Sequence, residues 1–141
     1  MINRLIIKQR LSMIEDFCRE LELIRDLPKE EFFLKRNTAA AESFLRRSLE
    51  AVFDTGRHIL AKSGHLDLAG EYKSIALGLS KQKVVTGSLS QALLEMAGYR
   101  NRLVHLYQMV TEEELYTITH NNLPDLYEFI KQVSKYINRL G

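Results

Sequence analysis

Residues 32–62 read FFLKRNTAAAESFLRRSLEAVFDTGRHILAK and hold a long helical pattern. Apolar side chains recur there every three or four residues, which is the spacing of one face of an α-helix. The members of this broad stripe are Ala40, Phe44, Leu45, Leu49, Val52, Phe53, Ile59 and Leu60. The pattern stops before Ser63-Gly64, where glycine can close a helix end. It predicts a long amphipathic helix that packs against other helices.

The sequence on both sides of this stretch also has helical spacing. Apolar and polar residues do not alternate over a useful length, so strands are not expected. The predicted helices run from Asn3 to about Asp26, through 32–62, from about Asp67 to Leu79, from about Leu89 to Tyr107, briefly after Thr111, and from Asn122 to Arg139. We therefore predict an all-α fold, a bundle of about five or six helices in one domain over residues 1–141.

Local signals predict where the later helices begin. Two sites have a Ser or Thr followed three residues later by Glu or Gln, the pattern of a capping box. These pairs are Ser88 with Gln91 and Thr111 with Glu114. Asn122 is expected to open the last helix, because Pro124 would then lie in its first turn, where proline is favoured.

The composition is that of an ordinary water-soluble chain. Charged residues make up 27% of the 141 residues and the net charge is +2, which permits an anionic partner without requiring one. No stretch approaches the roughly 20 apolar residues that a membrane span needs. The single Cys18 cannot form an internal disulfide, which fits a reducing cytosol. We expect a cytoplasmic protein that makes no use of a membrane.

The segment that carries chemistry is 95–107, EMAGYRNRLVHLY. On an ideal helix, at about 100° per residue, Arg100 falls in the middle of an apolar stripe. The other members of that stripe are Leu93, Met96, Ala97, Leu103, Val104 and Tyr107. An arginine there needs a carboxylate, an interface or a cleft, because an unpaired charge is not tolerated in a dry core.

His105 lies about 140° around the same helix from Arg100, beside Asn101. One regular helix therefore cannot point Arg100 and His105 at the same atom. Either the helix is interrupted, or two copies of the segment meet across a dimer axis that brings their Arg and His groups into one groove.

Such a groove suits cleavage of an RNA phosphodiester bond. Histidine can take the proton from the attacking 2′-OH and supply one to the leaving 5′-oxygen. Arginine can stabilise the negative charge that the phosphate gains in the transition state. No metal or other cofactor is expected, because the nucleophile belongs to the substrate, and His58, His65 and His120 lack metal-ligand spacing. An Arg bridging two helices beside a partly exposed His is the structural alternative.

Residues 100–107, RNRLVHLY, resemble the R-x4-H-x-Y motif of HepT-type proteins in the HEPN superfamily. Residues 39–61 are similar to that family's long second helix, and residues 78–98 to its approach to the motif. The resemblance covers the chain from about Leu11 to Ile137. Leu106 departs from it, because a glycine is common at that position.

The resemblance implies a homodimeric, metal-independent endoribonuclease toxin whose two R-x4-H motifs face each other, with Arg100 and His105 as catalytic residues. It also implies a partner antitoxin, a small MNT-type nucleotidyltransferase. This enzyme would silence the toxin by transferring AMP from ATP to the motif tyrosine, Tyr107. The alternative is a non-catalytic nucleotide- or substrate-binding subunit of such a nucleotidyltransferase. The complete Arg, His and Tyr set favours the enzyme.

Further residues around the motif could support the reaction. Asn101 could fix the tautomer of His105, Arg102 could contact phosphate, and Asp54 could orient Arg100 or His105. Phosphate contacts along a groove could also come from Arg46, Arg47, Arg57, Lys81 and Lys83, although each could equally belong to a solvated helix face.

Overall fold

The computed structural model describes residues 1–105 and 110–140, and helices account for most of both ranges. They are α1 (Arg4–Arg25), α2 (Lys29–Phe32), α3 (Lys35–Lys62), α4 (Tyr72–Lys81), α5 (Gly87–His105) and α6 (Glu112–Arg139), with a 3-10 turn at Leu66–Leu68. No strand occurs in these ranges. The predicted all-α fold with five or six helices is confirmed.

Helix α3 lies at the centre of the bundle and contacts α1, α4, α5 and α6. Most of its predicted stripe is buried, including Leu49 and Phe53, while Phe44 stays half-buried. On α1 the small Cys18 is fully buried among these helices, and burial raises the pKa of its thiol to about 12. Cys18 therefore acts as a small apolar core residue.

Local capping signals place the starts of α1 and α6. The side chain of Asn3 accepts a hydrogen bond from the amide of Ile6 at 3.1 Å. The hydroxyl of Thr111 accepts one from the amide of Glu114 at 3.0 Å, as the sequence predicted. Both bonds satisfy an amide that the first turn of a helix leaves without a partner.

The predicted cap of α5 is wrong by two residues. The hydroxyl of Thr86, rather than Ser88, accepts the hydrogen bond from the amide of Leu89, at 3.2 Å. The side-chain amide oxygen of Gln132 accepts from the backbone amide of Thr86 at 2.8 Å, so α6 fixes this turn. A contact from a distant helix therefore decides where α5 begins.

The helix predicted from Asp67 to Leu79 is shorter than expected. A 3-10 turn ends at Leu68, and α4 begins only at Tyr72. The carbonyl of Ala69 accepts a hydrogen bond from Nε of Arg57 at 3.0 Å, instead of continuing a helical ladder. Gly70 adds a residue with a low helix propensity at the same place.

The break predicted at Asn122 is also wrong, because α6 continues through it and Pro124 lies inside the helix. An interior proline costs about 3 kcal/mol. Leu123 and Leu126 on either side are buried, and each fully buried leucine contributes about 1.5–3 kcal/mol. The exposed ring of Pro124 lies outside this stripe, so burial outweighs the cost of the proline.

Helices α3 and α4 approach each other closely through glycines. A Cβ atom built on Gly56 would lie 2.7 Å from Cγ2 of Ile75 and 2.9 Å from Cδ1 of Leu79. A Cβ on Gly78 would lie 3.1 Å from Cδ1 of Leu60. This contact sets the position of α4, and with it the position of Tyr72 at its start.

Across residues 1–105 and 110–140, no helix combines the length and the hydropathy that a membrane span requires.

Candidate active site

Arg100 lies half-buried against an aromatic platform. Its guanidinium carbon is 4.5 Å from the centroid of the Tyr72 ring, within the range of a cation–π contact. The Tyr72 ring in turn stacks on the buried ring of Phe53, with 4.8 Å between centroids and 23° between planes. The structure therefore gives Arg100 an aromatic neighbour, and that neighbour lines a cleft.

The Nε atom of Arg100 is buried, and no described residue accepts a hydrogen bond from it. Leaving a buried donor without a partner costs about 1–3 kcal/mol. Because Nε is shielded from solvent, an anion from outside the chain would have to approach Arg100 at the half-exposed part of its side chain.

A second arginine, Arg57, lies by the same ring, with its guanidinium carbon 5.6 Å from the Tyr72 centroid. Arg57 and Tyr72 line a cleft of about 420 Å³ between α3, the start of α4, and α5. The remaining lining residues are Gly70, Glu71, Lys73 and Asn101. Among the basic residues suggested by the sequence, Arg57 is the one that lines this cleft in the described part of the chain.

Asp54 lies one turn before Arg57 on α3 and is exposed. Its Oδ1 atom is 3.5 Å from Nη1 of Arg57, and its backbone carbonyl accepts from Arg10 at 3.2 Å. Within residues 1–105 and 110–140, no hydrogen bond joins Asp54 to Arg100 or His105. Its predicted influence on the motif would therefore act through Arg57.

His105 and Asn101 are both exposed on α5. The helix is regular from Gly87 to His105, so it is not interrupted between Arg100 and His105. An interruption of the helix, which was the first of the two alternatives drawn from the sequence, is therefore excluded. No hydrogen bond joins Asn101 to His105 among the described atoms, and the role of Asn101 in setting the tautomer stays a prediction.

Arg102 connects α5 to the beginning of α6. Its Nη1 and Nη2 atoms donate to the two carboxylate oxygens of Glu114 at 2.5 and 2.7 Å. This hydrogen bonding raises the pKa of Arg102 and lowers the pKa of Glu114. A phosphate bound by Arg102 would have to compete with that carboxylate, so the structure favours a bracing role.

Tyr107 and Leu106 lie outside the described residues. Tyr99 is half-buried, packs against the hydrophobic core, and burial raises the pKa of its phenol. Tyr99 therefore contributes to the packing of α5. In the part of the chain that the structure describes, no group of three or more His, Cys, Asp or Glu side chains could hold a metal ion.

Tyr72 is the residue that sequence reasoning missed. It stands at the start of a helix with no motif around it. Its importance comes from the close packing of α3 on α4, which no local pattern announces. The only available signal was the unexplained charge of Arg100 on an apolar stripe, which required some neighbour.

Comparison with known proteins places the fold. The sequence model of the family described as "Ribonuclease HepT-like" matches residues 7–133. A tRNA nuclease HepT from Aphanizomenon flos-aquae (strain 2012/KM1/D3) is 23% identical over 139 residues, covering 96% of this chain and 92% of the relative.

Two solved structures have the same fold. YutE, a cytosolic protein of unknown function from Bacillus subtilis, superposes with a TM-score of 0.82 at 23% identity, covering 98% of this chain and 92% of YutE. The tri-AMPylated HEPN toxin of Shewanella oneidensis, in complex with an MNT antitoxin, gives a TM-score of 0.81 at 21% identity, covering 92% of this chain and 97% of the toxin. At these identities the likeness establishes the fold alone.

Proposed function

The chain belongs to the ribonuclease HepT-like family, and on that basis we propose that it is an endoribonuclease toxin acting in the cytoplasm without a metal ion. The observation that carries the proposal is the half-buried Arg100, whose guanidinium lies against Tyr72, a residue that lines an open cleft. An RNA phosphate would bind at the partly exposed side of that guanidinium. The substrate brings its own nucleophile, the ribose 2′-OH.

In this proposal Arg100 binds the phosphate that is cut and stabilises the charge that develops on it. His105 is exposed at the end of α5, where it can reach a substrate. As a base it takes the proton of the 2′-OH, whose oxygen then attacks phosphorus. The 5′-oxygen leaves and takes up a proton from an imidazolium, so the products are a cyclic phosphate and a free 5′-hydroxyl.

The helix geometry favours a composite site made by two copies of the chain. Since α5 is regular between Arg100 and His105, these side chains leave the helix about 140° apart. A two-fold axis beside α5 would bring His105 of the partner subunit to the phosphate that Arg100 binds. Sedimentation should then give twice the chain mass, and a monomer at micromolar concentration would contradict the composite site.

Substitution of the two catalytic residues tests the reaction. Arg100→Ala and His105→Ala should each lower RNA cleavage by about 10²–10⁴-fold, the usual cost of losing a group that transfers protons or stabilises charge. Arg36→Ala and His65→Ala are matched controls for residue type, since Arg36 is exposed and His65 lies outside the cleft. Full activity of the His105 variant would contradict the mechanism.

Metal dependence needs a separate measurement. Cleavage should persist in excess EDTA, because both catalytic groups belong to the chain. Loss of cleavage in EDTA that Mg²⁺ restores would contradict a metal-independent reaction. A chain that binds nucleotide but cuts none of a panel of cellular RNAs would support the alternative of a substrate-binding subunit.

We further propose regulation by a nucleotidyltransferase antitoxin that modifies Tyr107. The support is the structural likeness to a toxin that is AMPylated and bound to an MNT antitoxin. The phenolic oxygen would attack the α-phosphate of ATP, releasing pyrophosphate and the phenolic proton. The negative charge of the added AMP would compete with RNA phosphates for the basic side chains of the proposed composite site.

Intact mass spectrometry after incubation with the antitoxin, ATP and Mg²⁺ tests this modification. Wild-type chain should gain the mass of AMP, and Tyr107→Phe should gain less added mass than wild type. Tyr99→Phe is the matched control, because Tyr99 also belongs to this segment but packs against the core. Equal modification of the Tyr107→Phe variant would place the acceptor elsewhere.

A further inference from the structure

We propose that the cleft beside Tyr72 is a second phosphate subsite for single-stranded RNA, in which Arg57 binds a phosphate next to the one held by Arg100. This inference rests on the proposed ribonuclease function and extends its substrate-binding surface to α3. Tyr72 is the positioning residue that relates the two arginines to each other.

Arg57 is anchored through its Nε atom, and the exposed edge of its guanidinium can still bind a ligand. Nε donates to the carbonyl of Ala69 at 3.0 Å, which fixes the side chain along the cleft wall. Nη1 reaches Asp54 only at 3.5 Å, the outer limit of a hydrogen bond, and the side chain is 42% exposed. A phosphate could therefore bind the guanidinium edge without rebuilding the site.

The two arginines are close enough to serve one strand. Their guanidinium carbons lie 5.6 and 4.5 Å from the same ring centroid, so they are at most about 10 Å apart. Two cations, Arg57 and Lys73, line the cleft together with Glu71, and Arg100 adds a third cation at the Tyr72 ring. With Asp54 beside Arg57, these five groups carry a net charge of +1, which favours an anionic ligand.

Tyr72 fixes the positions of Arg57 and Arg100 relative to each other. Its ring is fixed by stacking on Phe53, and its helix is fixed by the close approach of α4 to Gly56. A guanidinium that lies against a ring keeps the donors at its edge available for phosphate. Because the ring supports Arg100, its loss should disturb catalysis as well as binding.

Binding of a fluorescein-labelled single-stranded RNA, followed by anisotropy in EDTA over a range of salt concentrations, tests the subsite. The His105→Ala chain serves as background, so that the probe stays intact. Adding Arg57→Gln should weaken binding by about tenfold, as expected for a charged hydrogen bond. It should also reduce the slope of log K against log salt by about 0.7, the value for one phosphate contact on a single strand.

Arg36→Gln is the matched control, since Arg36 lies on the same helix, is exposed and does not line the cleft. It should leave affinity and slope unchanged. If Arg57→Gln behaves like Arg36→Gln while the wild-type chain binds and cuts RNA, the subsite is wrong and the ribonuclease proposal survives. If Arg57 controls RNA binding but no RNA is cut, the subsite stands and the ribonuclease proposal fails.

The positioning role of Tyr72 has its own test in cleavage kinetics. Tyr72→Leu should lower kcat, because Arg100 loses its support, whereas Arg57→Gln should mainly raise KM. Tyr72→Phe keeps the ring and should restore kcat. Equal loss in the Phe and Leu variants, with native circular dichroism in both, would contradict the platform, as would wild-type kcat in the Leu variant.

Discussion

Replacing Gly56 with alanine should destabilise the protein, because α3 and α4 leave no room for a methyl group at this point. The added carbon would lie 2.7 Å from Ile75 and 2.9 Å from Leu79, both closer than carbon atoms tolerate. Both side chains are fully buried, and Ile75 is β-branched and therefore stiff. The helices must move apart to accept the new atom.

The size of the effect follows from two opposing contributions. Overpacking a well-filled core costs about 1–3 kcal/mol, and two contacts this short belong in the upper half of that range. Alanine recovers about 1 kcal/mol in helix propensity over glycine. The net loss in free energy of unfolding is then about 1–2 kcal/mol, or a fall in Tm of about 3–7 °C for a chain of this length.

Thermal and urea unfolding, followed by circular dichroism, measure this loss. Gly98→Ala is the control, because Gly98 also lies inside a helix but a Cβ there would meet no described atom within 4 Å. That variant should gain about 0.4–1 kcal/mol. A Tm for Gly56→Ala at or above wild type would refute the close packing. RNA cleavage should fall with stability in Gly56→Ala, since α4 carries Tyr72.

Three smaller predictions concern an ion pair, a histidine pKa and a helix cap. The bonds from Arg102 hold the pKa of Glu114 below its usual 4.5, so this pair stabilises the fold above that pH and the contribution is lost as pH falls through the lower folded value. Glu114→Gln should therefore raise the pH midpoint of acid unfolding. Burial and nearby cations lower the pKa of His58 below its usual 6.5, and an NMR titration of the imidazole measures this shift. The folded state therefore favours neutral His58, and this contribution to stability is lost as pH falls through the lowered pKa. Thr86→Ala should cost about 0.5–2 kcal/mol of helix capping, visible as a lower Tm, while Ser88→Ala should leave Tm within about 1 °C of wild type.

The sequence predicted the fold wherever the deciding interactions are local. Apolar spacing located α1 and α3, and the hydroxyl of Thr111 caps α6 as its neighbours indicated. The errors arose where a distant group intervenes. Gln132 fixes the turn at Thr86, and Arg57 takes the carbonyl of Ala69 away from a helical ladder. Such contacts exist only after the helices have packed.

The candidate site also has one part that the sequence predicted and another that it could not predict. The position of Arg100 on an apolar stripe predicted a cleft or a partner, because a charge in that place has few solutions. Nothing in the sequence could identify Tyr72 as the neighbour, since that contact depends on how closely α4 packs on α3. The pairing of Arg102 with Glu114 was missed for the same reason: it joins two helices across a connection.

Pro124 removes a backbone hydrogen bond from α6, although the helix itself continues through this residue. Proline has no amide hydrogen, so it can supply no donor to the carbonyl of His120, one turn earlier. The ladder of helical hydrogen bonds therefore has a gap. Amide hydrogen exchange should show that the parts of α6 before and after this gap open as two cooperative units, although the backbone forms one continuous helix. The unit that begins at Glu112 holds Glu114, the partner of Arg102. Opening of that unit alone would release the end of α5 while the rest of α6 stays folded.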